Sequence, residues 1–157
     1  MGSTGIRRVV NREFEAFVSD CVEALTSFAI KTTLRSGATF EQARSAKAAG
    51  FVTGMRYVAV KDFAMHLDRV KIRADAGGHC ASEATLRRIY RSSLANLPRA
   101  VAEMDDLWVY DNFAVGGPPK LVMETEKSVI RFLVEDPPDW LAKVLGLPWP
   151  DSPPWGL

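Results

Sequence analysis

Four short stretches carry residues able to handle a phosphate or a hydroxylated ligand. Lys31-Thr32-Thr33-Leu34-Arg35 ends a β-branched segment with an ammonium, two hydroxyls and a guanidinium. At the carboxyl end of a strand in an open α/β sheet such groups face the crevice where ligands bind. A Thr-rich strand ending in a solvated arginine is the plainer explanation, and spacing alone favours it. Arg69 and Arg73 share a helix face, and Gly77-Gly78-His79 follow. Two guanidinium groups beside glycines that allow close backbone approach form a candidate phosphate cradle. An exposed helix face ending in a glycine cap and a polar loop histidine explains the same residues. Arg87 and Arg88 lie on the next helix, within reach of a triphosphate in phosphoryl transfer. A solvated basic face is the commoner reading of such a pair. Asp111-Asn112 closes a later strand and reads as turn chemistry.

The surrounding patterns supply elements to position these groups. Asn11 reads as an N-cap, followed by Phe14, Phe17, Val18, Cys21, Val22 and Leu25 at helical spacing. Ser27–Leu34 is short and β-branched and reads as a first strand. Thr39 caps a helix over Phe40–Ala49 that stops at Gly50, and Phe51–Val60 follows as a second strand. Asp62 caps a helix with Phe63, Leu67, Val70 and Ile72 on its face, and Ser82 caps another carrying Leu86, Ile89, Tyr90 and Leu94. Pro98 interrupts that helix or opens a new turn. Leu107–Asp111 is a third strand, Leu121–Glu126 and Val129–Val134 pair as a hairpin, and Trp140–Leu145 is a short helix. Residues 1–147 read as one domain and 148–157 as a Pro/Trp-rich, extended tail. Strands alternating with helices indicate an α/β fold around a mostly parallel sheet.

Composition narrows the function classes. The chain has 157 residues, 47% hydrophobic and 25% charged, the balance of a globular domain. A net charge of +1 gives no support for binding a long polyanion, so nucleic acid is not an expected partner. Cys21 and Cys80 form no metal-ligand spacing, and no metal site is expected. Neither a signal peptide nor a membrane-length apolar run is visible, which points to a cytoplasmic protein.

The order of the motifs is more specific than any one of them. A segment ending in TTLRSG, a helix with AKAAG, arginines followed by GGH, then RRIYRSSLANLPRA, WVYDN and a closing PPDWL occur in succession. This succession resembles the zeta-toxin-like family of P-loop kinases and its predicted ABC-type ATPase relatives, from about Phe14 to Leu145. The resemblance implies a P-loop-kinase-like sheet with flanking helices, ATP and Mg²⁺ as cofactors, and phosphoryl transfer to a nucleotide sugar such as UDP-N-acetylglucosamine. It places Lys31, Thr33 and Arg35 on the substrate side. Arg69, Arg73, Gly77, Gly78 and His79 match the lid region over the nucleotide, with Arg87 and Arg88 supporting it.

Departures from the family pattern change the expectation. No GxxxxGK[ST] occurs in the sequence, so the backbone nest and lysine that hold ATP phosphates are missing. The family's catalytic aspartate belongs after that loop, so no catalytic residue is assigned. Lys31 stands where the family has a glutamate, and an ammonium cannot accept a substrate hydroxyl. The chain is therefore expected to be an N-terminally incomplete copy, a pseudoenzyme that binds no ATP or Mg²⁺ by itself. Loss of the first strand would leave an unpaired sheet edge. The alternative to a kinase is a non-catalytic module of a toxin–antitoxin-type system, binding a nucleotide sugar, an antitoxin or another partner chain.

Overall fold

A computed structural model describes residues 3–60, 63–75, 81–113 and 117–146. In chain order the elements are α1 (Ser3–Glu23), α2 (Ala38–Ala48), β1 (Gly54–Ala59), α3 (Phe63–Asp75), α4 (Glu83–Ala95), α5 (Leu97–Glu103), β2 (Asp106–Asp111), β3 (Lys120–Glu126), β4 (Val129–Leu133) and α6 (Asp139–Leu145). Local chemistry accounts for most of the boundaries. The Ser82 side chain accepts from Thr85 N at the start of α4, satisfying one orphan donor of the first turn. Gly50, at φ 91°, ends α2 with its N–H on Lys47 O and that of Phe51 on Ala46 O, the paired closure that left-handed glycine permits. Pro98 sits in the first turn of α5, where a missing N–H costs nothing.

The fold is α/β, with a four-stranded mixed sheet in the order β1-β2-β3-β4. Only β1 and β2 are parallel; β2–β3 and β3–β4 are antiparallel, which corrects the mostly parallel sheet expected from alternating elements. The difference arises because the hairpin β3–β4 follows β2 directly, without a crossover helix. A second correction concerns Ser27–Leu34, expected as a strand: it joins no ladder and runs outside the sheet. A third concerns two caps: Asn11 lies inside α1, and Thr39 lies inside α2, whose first turn follows Gly37. Asp62 and the tail 148–157 lie outside the described residues.

Strand alternation divides the sheet into two unlike faces. Tyr57, Ala59, Leu107, Val109, Met123 and Thr125 are buried. The apolar members of this set pack with Phe40, Leu97, Ala100, Trp140 and Leu141 from the helices into one core. On the opposite face the register aligns Arg56, Trp108, Glu124 and Phe132, with the Arg56 guanidinium 5.0 Å from the Trp108 ring centroid. Val58 and Phe132 remain exposed there. Of the apolar stripe on α1, Val18 is buried while Phe14, Phe17 and the following Leu25 are exposed.

Asn96 links the helices to the segment before α2. It ends α4 and begins α5, and its Nδ2 donates to Leu34 O at 2.8 Å. Leu34 is buried in the left-handed region at φ 52°, an unfavourable conformation for a residue with a Cβ. The amide of Asn96 holds that bend, so Asn96→Ala is expected to lower stability by about 1 kcal/mol, read from urea unfolding.

Candidate functional site

The open side of β1 borders a cavity of ≈ 750 Å³. One wall is the segment Phe28–Leu34; the other is β1 with its flanks, from Phe51 to Val60. Thr39, Ala43 and Ala46 of α2 and Ile89, Tyr90, Ser93 and Leu94 of α4 close the remaining sides, with His66 from α3. Beyond its apolar surface the cleft offers hydroxyls and two cations, Lys31 and Arg56. No aspartate or glutamate is among its described lining residues.

The polar groups are held by specific contacts. Tyr57 Oη and Ser93 Oγ lie 3.1 Å apart, and Tyr90 Oη donates to Val60 O at 3.2 Å. Burial pushes the Tyr57 phenol above its usual range, Ser93 opposes this as a hydrogen-bond partner, and nearby Tyr90 adds slightly to the rise. Tyr57 is therefore a neutral hydrogen-bonding group at physiological pH and not a base. Thr32 and Thr39 hydroxyls sit 3.0 Å apart, and Thr32 Oγ1 accepts from Leu34 N at 3.2 Å. These bonds fasten the wall segment to α2 and to the bend at Leu34.

Below the cleft, the starts of both parallel strands are tied by Asp105. Its Oδ2 accepts from Thr53 N at 2.8 Å and Thr53 Oγ1 at 2.9 Å, and Oδ1 pairs with Lys47 at 2.9 Å. Desolvation pushes the Asp105 carboxyl up, but the bonds from Thr53 and Lys47 outweigh it and hold the group below the usual aspartate range. Nearby, Glu103 takes Arg44 at 2.7 Å and Arg99 at 2.6 Å, joining α2 to α5. The hydrogen bond from Arg99 contributes most to lowering the Glu103 carboxyl, against a desolvation that raises it.

The residues expected to act together fall into separate places. Lys31 and Thr33 line the cleft, whereas Arg35 is exposed and is not among its lining residues. Arg69 reaches toward the end of β2, its Nη2 3.5 Å from Phe113 O. Arg87 pairs with Glu83 at 2.7 Å and lies 4.2 Å over the Phe63 ring, a position that ties α4 to α3. Arg88 is exposed on α4. Gly77, Gly78 and His79 lie outside the described residues, as does the side chain of Arg73. Asp111, read as turn chemistry, closes β2 and lines a second cavity of ≈ 560 Å³ with Lys120, Asp136, Trp140 and Lys143.

Arg56, Ser93 and Asp105 were not recognised from sequence as parts of a site. Arg56 and Ser93 lie in ordinary strand and helix patterns, and only the fold brings them to one cleft. Among the described residues there is no cluster of three or more His, Cys, Asp or Glu able to hold a metal ion, and no helix long and apolar enough to cross a membrane. Comparison with protein-family models, curated proteins and solved structures finds no match.

Proposed function

We propose that this chain is a non-catalytic interaction module of the zeta-toxin-like kinase class, acting through the cleft beside β1. The observation that carries this reading is the cleft itself: a wall bearing Lys31 and Thr33 faces a sheet edge that none of the described residues pairs with. Two further points support it. The sequence holds no GxxxxGK[ST] loop, so the groups that would hold ATP phosphates for transfer are missing. Arg87 is engaged by the Glu83 carboxylate and lies over the Phe63 ring, contacts that join α4 to α3.

The decisive measurement is phosphate release and calorimetric titration with Mg-ATP and, separately, with UDP-N-acetylglucosamine. The expected result is no turnover and no saturable heat with Mg-ATP. Sustained Mg²⁺-dependent ATP turnover by the purified chain overturns the reading in favour of a working kinase. Heat from the nucleotide sugar alone would keep the non-catalytic reading and assign the cleft to a small ligand.

A further inference from the structure

We infer that the cleft beside β1 is a slot for one extended β-strand supplied by a partner polypeptide. This rests on the non-catalytic reading above and names the occupant of the same cleft. Backbone direction is the first argument. Carbonyls of Thr53 and Ala59 accept from the β2 side, from Asp105 N and Asn112 N. The N–H and C=O of alternate residues in a strand point to opposite sides, so those of Gly54, Arg56 and Val58 point into the cleft. No hydrogen bond to these groups is made by any of the described residues. A row of unused donors and acceptors along an edge is the template to which a further strand adds.

The opposite wall supplies the second argument. Phe28–Thr33 lines the cleft and joins no ladder, so an inserted strand has backbone on both sides. The edge strand of a second folded copy is a poor fit, because the sheet it carries on one side would meet one of the two walls. Residues 147–157 are also unsuited: Pro148, Pro150, Pro153 and Pro154 have no N–H to donate to a ladder. Side-chain chemistry gives the third argument. Among the described residues the cleft is lined by Val52, Met55, Ala43 and Leu94, carries the cations Lys31 and Arg56, and has no acidic residue. The fitting occupant is a proline-free segment of β-branched residues carrying a carboxylate, which would meet Lys31 or Arg56.

The test is selection of a display library of short proline-free peptides on the whole chain, with Val58→Pro and Val58→Ala as paired variants. Proline at position 58 removes one N–H that faces the cleft and leaves the β1–β2 ladder intact, whereas alanine keeps the N–H. Circular dichroism of both variants establishes that they are folded. Enriched peptides are expected to be β-branched and acidic, to bind Val58→Ala as they bind the parent, and to bind Val58→Pro roughly tenfold or more weakly. Amide exchange at Gly54, Arg56 and Val58 should slow when they bind. Failure to enrich any peptide, or binding indifferent to Val58→Pro, overturns the strand slot. ATP turnover is scored separately: an inert chain that binds no peptide loses this inference and keeps its non-catalytic reading. A chain that turns over ATP loses that reading whichever way the peptides behave.

Discussion

Phe40→Ala is expected to destabilise the fold by about 4 kcal/mol, the range for removing a fully buried aromatic ring. Phe40 has 0% of its surface exposed and is one of the two buried residues on α2, the other being the much smaller Ala46. It reaches the core shared by β1, β2, α5 and α6, while the Arg99 guanidinium covers its ring at 4.2 Å. Ion pairs from Arg44 to Glu103 and from Lys47 to Asp105 limit how far α2 can move to fill the hole. Phe40→Leu, which keeps most of the volume, is expected to cost less than about 1.5 kcal/mol. Urea unfolding of the two variants decides the matter: similar losses would show that the ring is not what anchors α2. Because Thr39, Ala43 and Ala46 close one side of the cleft, Phe40→Ala should also weaken binding there.

The second large effect is expected at Asp105. Asp105→Ala removes the acceptor for Thr53 N and Thr53 Oγ1 and the partner of Lys47, and should cost about 2–3 kcal/mol. Its pH dependence follows from the lowered carboxyl. A group whose folded pKa lies below its unfolded value stabilises the fold above the unfolded value, about 4 for aspartate, and loses that contribution as pH falls through the folded one. The parent chain should therefore lose stability on acidification below about pH 4. In Asp105→Ala that part of the slope should vanish, leaving the contribution of Glu103, whose carboxyl is lowered as well. Unfolding free energies measured from neutral pH downward test this. Parallel curves for parent and variant would show that Asp105 does not titrate in the way its contacts require.

Both residues show how unevenly the sequence speaks. Phe40 was legible as the start of a helix over Phe40–Ala49, but its place at the centre of the core was not. Asp105 carries no local signal at all. Its role depends on Thr53 and Lys47, more than fifty positions away, meeting it at the start of two parallel strands. The arginines illustrate the opposite case. Arg69 and Arg87 stand out in the sequence, yet in the fold one turns to a backbone carbonyl and the other to an acidic neighbour and an aromatic ring.

The sequence by itself determined the local pieces: the cap at Ser82, the stop at Gly50, strands near 54–59 and 106–111, the hairpin β3–β4 and the short α6. These depend on interactions between residues a few positions apart, whose energies a linear pattern contains. The tertiary structure alone decided that Ser27–Leu34 stays outside the sheet, that the sheet is mixed, and that β1 is left as an edge beside a cleft. A β-branched segment satisfies the local preference for an extended backbone whether or not a neighbour pairs with it. Pairing depends on distant partners, and here the Thr32 hydroxyl and the Asn96 amide take up only the N–H and C=O of Leu34, at the end of the wall segment.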